Sequence, residues 1–99
     1  MKAIILAAGK RIGIDKPKPL LQIGDKTLIE HNIEKLKKMG IEQIAVVINP
    51  KDETTKKILK DSVRYYYQEK PLGTAHAILC ARDFIDEPYF LVMNGDVFF

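Results

Sequence analysis

Four cations, Lys10, Arg11, Lys16 and Lys18, crowd the stretch LAAGKRIGIDKPKPL at residues 6–20. Ahead of them stand Ala7, Ala8 and Gly9, side chains too small to keep a ligand away from the main chain. Successive backbone N–H groups in such a turn cradle phosphate oxygens. Pro17 and Pro19 fix their own φ and push Lys16 and Lys18 towards extended backbone, which presents Lys18 on a stiffened segment. A fixed ammonium contributes most where negative charge builds up in a transition state. Phosphate binding and transfer is the chemistry these residues suit; a merely solvated basic loop is the competing reading. The stretch is neither a Walker loop, since no Gly-Lys-Ser/Thr follows, nor a G-x-G-x-x-G fingerprint.

Two further segments carry chemistry. In QEKPLGTAHA (68–77), Gln68 can both donate and accept towards a nucleobase edge. Gly73 permits close approach, and Thr74 is placed to cap a helix whose N-terminus favours an anion. His76 lies on an alanine-rich helix with no Ser or Cys beside it in a triad arrangement, which points to packing or hydrogen bonding rather than catalysis. In NGD (94–96), Asp96 puts a carboxylate directly after an apolar run. Mg²⁺ binds through one or two such carboxylates together with substrate phosphates. An ordinary turn aspartate is the alternative.

The elements that must hold these residues follow from hydrophobic pattern. KAIILA (2–7), IAVVI (44–48) and YFLVMN (89–94) are apolar runs without alternation, as expected of parallel strands buried on both faces, and RYYYQ (64–68) has strong β propensity. Between them, Thr27 and Glu30 form a capping box for a helix whose Ile29, Ile33 and Leu36 share one face and which Gly40 ends. Asn49-Pro50 suits the start of a second, short helix over 50–60. A third begins near Thr74. The alternation of strand and helix predicts a parallel sheet with right-handed crossovers. Ligands in such sheets bind at the carboxyl ends of the strands, and all three segments lie just after strand ends. They are therefore expected to converge on one edge.

Composition agrees with a single soluble globular domain: 99 residues, 46% hydrophobic and 29% charged. The net charge of +3 is the excess carried by residues 6–20 alone, where Asp15 is the one acid. A nucleic-acid binder would spread basic residues along a face and interleave aromatic platforms, which this chain does not. Cys80, the one cysteine, excludes a disulfide within the chain and fits a reducing cytoplasm. No stretch has the length of a membrane span or the flanks of a signal peptide.

LAAGK with Arg11, PKPLL, Q-x-x-P-x-GTAHA and NGD, in that order, resemble the N-terminal half of the sugar-phosphate nucleotidyltransferases. These include the glucose-1-phosphate thymidylyl- and uridylyltransferases and the N-acetylglucosamine-1-phosphate uridylyltransferases. The resemblance covers essentially the whole chain. It implies a three-layer, Rossmann-like α/β fold of the nucleotide-diphospho-sugar transferase type, truncated, with residues 1–99 as the nucleotide-binding portion. It further implies that the backbone of Leu6, Ala7, Ala8, Gly9 and Lys10 holds base, ribose and phosphates. Arg11 would clamp the outer phosphates and Lys18 would stabilise charge at the α-phosphate. Gln68 and Gly73 would read the base, with Thr74 beside them, and Asp96 would ligate Mg²⁺.

The partners implied are a nucleoside triphosphate, UTP or dTTP favoured, and a sugar-1-phosphate. Two features depart from the pattern. The first loop is shorter than the family's LAAG-x-G-T/S-R, and members of the family are much longer chains. A non-catalytic nucleotide-binding or assembly module on the same fold is the alternative expectation. With YFLVMN lacking a later strand, self-association or a complementing C-terminal chain is also expected.

Overall fold

A computed structural model describes residues 1–8, 11–12, 16–17, 22–70 and 72–95, with backbone alone at 11–12, 16–17 and 22–23. The three apolar runs and the tyrosine-rich segment form four strands, β1 (Lys2–Leu6), β6 (Gln43–Ile48), β7 (Arg64–Tyr67) and β8 (Phe90–Asn94). They make one wholly parallel sheet in the order β7-β6-β1-β8. Leu6 stands opposite Val47 on one side and Asn94 on the other.

Alternation along the strands sorts side chains onto two faces. Ala3, Ile5, Ile44, Val46 and Ile48 meet helix α1 (Leu28–Lys38) through Ile29, Ile33 and Leu36, and helix α2 (Glu53–Leu59) through Leu59. Ile4, Ala45 and Val47 turn the other way, onto Ala77 of helix α3 (Thr74–Cys80) and the Ala81 and Phe84 that follow it. The chain moves outward from β1 to β6 to β7 over α1 and α2, then returns across the sheet to β8 over α3. Reversing direction with crossovers of one hand forces the last helix onto the opposite face. The three-layer α/β architecture expected from the sequence is what forms.

Helix α1 starts and stops as its residues dictate. Thr27 is its N-cap: Thr27 Oγ1 accepts from Glu30 N–H at 3.4 Å, and Glu30 Oε1 accepts from Thr27 N–H at 2.9 Å. At the other end Gly40, at φ 89°, lets Ile41 N–H reach the Leu36 carbonyl at 3.0 Å while Gly40 N–H reaches that of Lys37 at 3.0 Å, a Schellman closure.

Two expectations need correction. Helix α2 is not capped by Asn49. Asp52 caps it, accepting from Thr55 N–H at 3.1 Å and Thr55 Oγ1 at 2.6 Å, because Asp52 and a buried Thr55 sit at capping distance. Nor is Thr74 the cap of α3. Gly73 occupies that place at φ 100° and ψ 173°, with no side-chain capping bond, and Thr74 is the first helical residue. Short strands also lie ahead of α1. Strands β2 (Arg11–Ile12) and β3 (Lys16–Pro17) pair antiparallel, as do β4 (Gln22–Ile23) and β5 (Lys26–Thr27) around Gly24 at φ 68°. A glycine with positive φ at the first position of a two-residue hairpin is the signal that IGDK carried.

Candidate functional site at the strand tips

Sheet hydrogen bonding continues past the strand ends and sets the loops side by side. Ala7 N–H donates to the Val47 carbonyl at 2.8 Å, Gly95 N–H to that of Leu6 at 2.8 Å, and Gln68 N–H to that of Ile48 at 2.9 Å. The loops after β1, β6, β7 and β8 thus leave from one carboxyl edge. The strand order reverses between β1 and β8, the place where open α/β sheets form a ligand crevice. Leu6–Ala8 and Asn94–Gly95 are the neighbours there. Gln68 lies on β7's end, two strand spacings from β1, or about 10 Å. That is the span of a nucleoside carrying phosphates at one end.

Of the expected site residues, Leu6, Ala7, Ala8, Gln68, Gly73 and Thr74 fall on this edge. Arg11 lies in β2, its backbone opposite Pro17. Gly9, Lys10, Lys18 and Asp96 lie outside the described residues. The peptide groups of Leu6 and Ala7 are partly committed: the Leu6 carbonyl and the Ala7 N–H already serve the sheet. The ladder ends at Ala7 among the described residues of this loop.

The QEKPLGTAHA segment is built around one buried amide. Gln68 is 4% exposed. Its Nε2 donates to the Gly73 carbonyl at 3.3 Å and lies 2.9 Å from His76 Nδ1. Cys80 Sγ, one turn further along α3, lies 3.8 Å from the same nitrogen. His76 is therefore hydrogen-bonded, as its surroundings in sequence suggested, but the structure brings Cys80 beside it, one helical turn away, where the sequence reading placed no cysteine. Gly73 is required for its backbone rather than for room: a Cβ there would meet nothing within 4 Å, but its conformation is closed to other residues.

Asn49, read from sequence as a helix cap, instead ties two loops together. Its Nδ2 donates to the Glu69 carbonyl at 3.3 Å and its Oδ1 accepts from Lys51 N–H at 2.9 Å. The loop after β7 is thus braced against the loop after β6. An Asn at one strand tip with a loop beyond the next was the available signal.

Grooves of 540 Å³ and 360 Å³ open at the opposite, amino edge, both lined by Lys2, Glu42, Gln43 and Asp86. Lys2 is occupied there, 2.9 Å from Asp86 Oδ1 and 2.9 Å from the Phe84 carbonyl. The Asp86 carboxyl is held below the usual carboxylate range chiefly by that hydrogen bond from Lys2. Among the described residues, no group of three or more His, Cys, Asp or Glu could hold a metal ion, and no helix is long and apolar enough to cross a membrane.

A parallel sheet with this strand order, layered by helices and carrying its glycine-bearing loops at the carboxyl edge, defines a Rossmann-like α/β domain of the nucleotidyltransferase type. The chain belongs to the MobA-like NTP transferase domain family, whose profile matches residues 3–99. It is 42% identical over 106 aligned positions to the bifunctional protein GlmU of Methanococcus maripaludis, covering 100% of this chain and 25% of that protein. It is 38% identical to GlmU of Thermoanaerobacter pseudethanolicus, covering 94% of this chain and 21% of the relative. The crystal structure of HddC from Yersinia pseudotuberculosis complexed with GMP-PN superposes with a TM-score of 0.86 at 30% identity, over 98% of this chain and 48% of that one. The chain thus spans about a quarter of the length of the curated relatives it matches.

Proposed function

We propose that the chain is the nucleotide-binding portion of a sugar-1-phosphate nucleotidyltransferase, working in the cytoplasm. The observation that supports this best is the meeting of Ala7–Ala8, Gly95 and the Gln68–Gly73 loop at one carboxyl edge of the sheet, in a chain of the NTP transferase family. In the reaction, an oxygen of the sugar-1-phosphate attacks the α-phosphorus of a nucleoside triphosphate. The bond to the bridging oxygen breaks, pyrophosphate leaves with that oxygen's electron pair, and a nucleotide-sugar forms. Such chemistry needs positioning and charge neutralisation rather than a covalent nucleophile.

In this reading the backbone from Ala8 through Gly9 and Lys10 receives the phosphates and Arg11 clamps the outer two. Lys18 stabilises charge at the α-phosphate, and Gln68 and Gly73, with Thr74, hold the base of UTP or dTTP. Asp96 follows Gly95 directly and is the residue that would hold Mg²⁺. The substrate phosphates would complete its coordination, as is usual for this ion. The ion would supply charge neutralisation on the triphosphate.

A pyrophosphate-release assay with sugar-1-phosphate and each triphosphate tests the proposal. Lys18→Ala is expected to lower turnover by about 10²-fold or more. Saturable nucleotide binding without turnover would support the second reading, a non-catalytic nucleotide-binding or assembly module, which the short first loop favours. Strand β8 is an edge of the sheet among the described residues, with Leu91, Val92 and Met93 half-buried. Self-association through that edge accompanies the proposal; a stable dilute monomer in analytical ultracentrifugation would contradict it.

A further inference from the structure

The orientation of the Gln68 amide is set by its neighbours. A backbone carbonyl only accepts, so the amide atom facing the Gly73 carbonyl at 3.3 Å is the nitrogen. The second hydrogen on that nitrogen is directed at His76 Nδ1, 2.9 Å away. An amide nitrogen has only hydrogens to offer, so His76 Nδ1 is the acceptor in that contact. Both amide hydrogens are committed to the start of α3. What Gln68 can still offer an incoming group is Oε1, and that atom only accepts. A side chain 4% exposed gains little from solvent to reverse this arrangement.

We propose that His76 is a positioning residue: with the Gly73 carbonyl it holds the Gln68 amide so that Oε1 faces the base, and this edge selects bases that present a ring N–H. Uracil, thymine and guanine carry such a donor. Cytosine and adenine place a bare ring nitrogen at the equivalent position, and two facing acceptors leave both unpaired. The inference rests on the reading above, that the strand-tip loops bind a nucleoside triphosphate. His76 acts through Gln68, not on the reacting atoms.

UTP and CTP share ribose and triphosphate, so the ratio of their affinities isolates the base edge. Calorimetric titration of the 99-residue chain is expected to favour UTP by about tenfold. His76→Ala frees one amide hydrogen and is expected to lower that ratio several-fold through weaker UTP binding. His76→Asn places an amide oxygen where Nδ1 stands and is expected to restore it. An unchanged ratio in His76→Ala, or a wild-type ratio near one, would overturn the inference while leaving nucleotide binding intact. Absence of binding by either nucleotide would overturn the function itself, and this inference with it. Should circular dichroism show the Ala variant unfolded, His76→Asn against His76→Gln decides, since Gln sets its polar atoms at the Nε2 position. Equal ratios in those two variants would also overturn the proposal.

Discussion

At the amino edge of the sheet charged groups answer one another. Lys2 lies 4.7 Å over the Phe84 ring, donates to the Phe84 carbonyl and pairs with Asp86, so its charge has little left for a ligand. At the carboxyl edge the described groups are tied mostly through backbone and one buried amide, and the four cations of the first loop lie between β1 and α1 with a single acid among them. Among the described residues, the two grooves lie at the first edge, and the segments carrying the candidate chemistry follow the strand ends at the second. Among the described residues, charge pairing holds the amino edge, and backbone and amide hydrogen bonds hold the carboxyl edge.

The contrast is sharpest at two glycines. Gly73 at the carboxyl edge and Gly40 at the amino edge both hold positive φ, 100° and 89°, and neither would crowd a Cβ. Gly73→Ala and Gly40→Ala are each expected to cost about 1–3 kcal/mol of stability through backbone strain alone. Only Gly73→Ala should also weaken nucleotide binding, because it moves the carbonyl that orients Gln68. Denaturant melts beside UTP titrations would separate the effects, and equal loss of binding in both variants would remove the distinction.

Next in size is Thr27→Ala, which removes one half of the capping box and is expected to destabilise by about 1 kcal/mol. Asn49→Ala should cost less in stability, yet loosen the loop after β7 enough to show as faster amide exchange at Glu69 and neighbouring residues. Lys2→Met keeps the apolar stem against Phe84 and removes an ion pair whose acid is 69% exposed. A change below about 1 kcal/mol is expected, with UTP affinity unmoved.

The smallest effect is a pH dependence. The Asp86 carboxyl is held below its ordinary range by Lys2, so its contribution is present above the unfolded carboxylate's pKa and fades as pH falls through the folded one. Asp86→Asn should flatten that acid limb slightly in melts followed against pH.

Much of this architecture could be read before any coordinates. Apolar runs without alternation located β1, β6 and β8 of the main sheet and β propensity located β7, and the Thr27–Glu30 pair and Gly40 bounded α1 as they do in the fold. Pattern also placed the three chemistry-bearing segments after strand ends. Choices between equivalent local options were harder. Asn49 and Asp52 are both good caps, and only packing, through the burial of Thr55, decides for Asp52. Gly73 takes the capping place from Thr74 because its carbonyl must meet both Gln68 and Ala77 N–H. The bond from Gln68 to His76 crosses a turn of eight positions and leaves no periodic trace in sequence.

The central claim is that nucleotide binds where the strands end, not in the grooves where they begin. Backbone amide shifts of the ¹⁵N-labelled chain, followed during titration with UTP and Mg²⁺, test it directly. The account predicts saturable changes at Ala7, Ala8, Gln68, Gly73, Thr74 and Gly95, with Lys2, Gln43, Arg64 and Asp86 still. Changes clustered at the latter four, with the strand-tip amides unmoved, would contradict it.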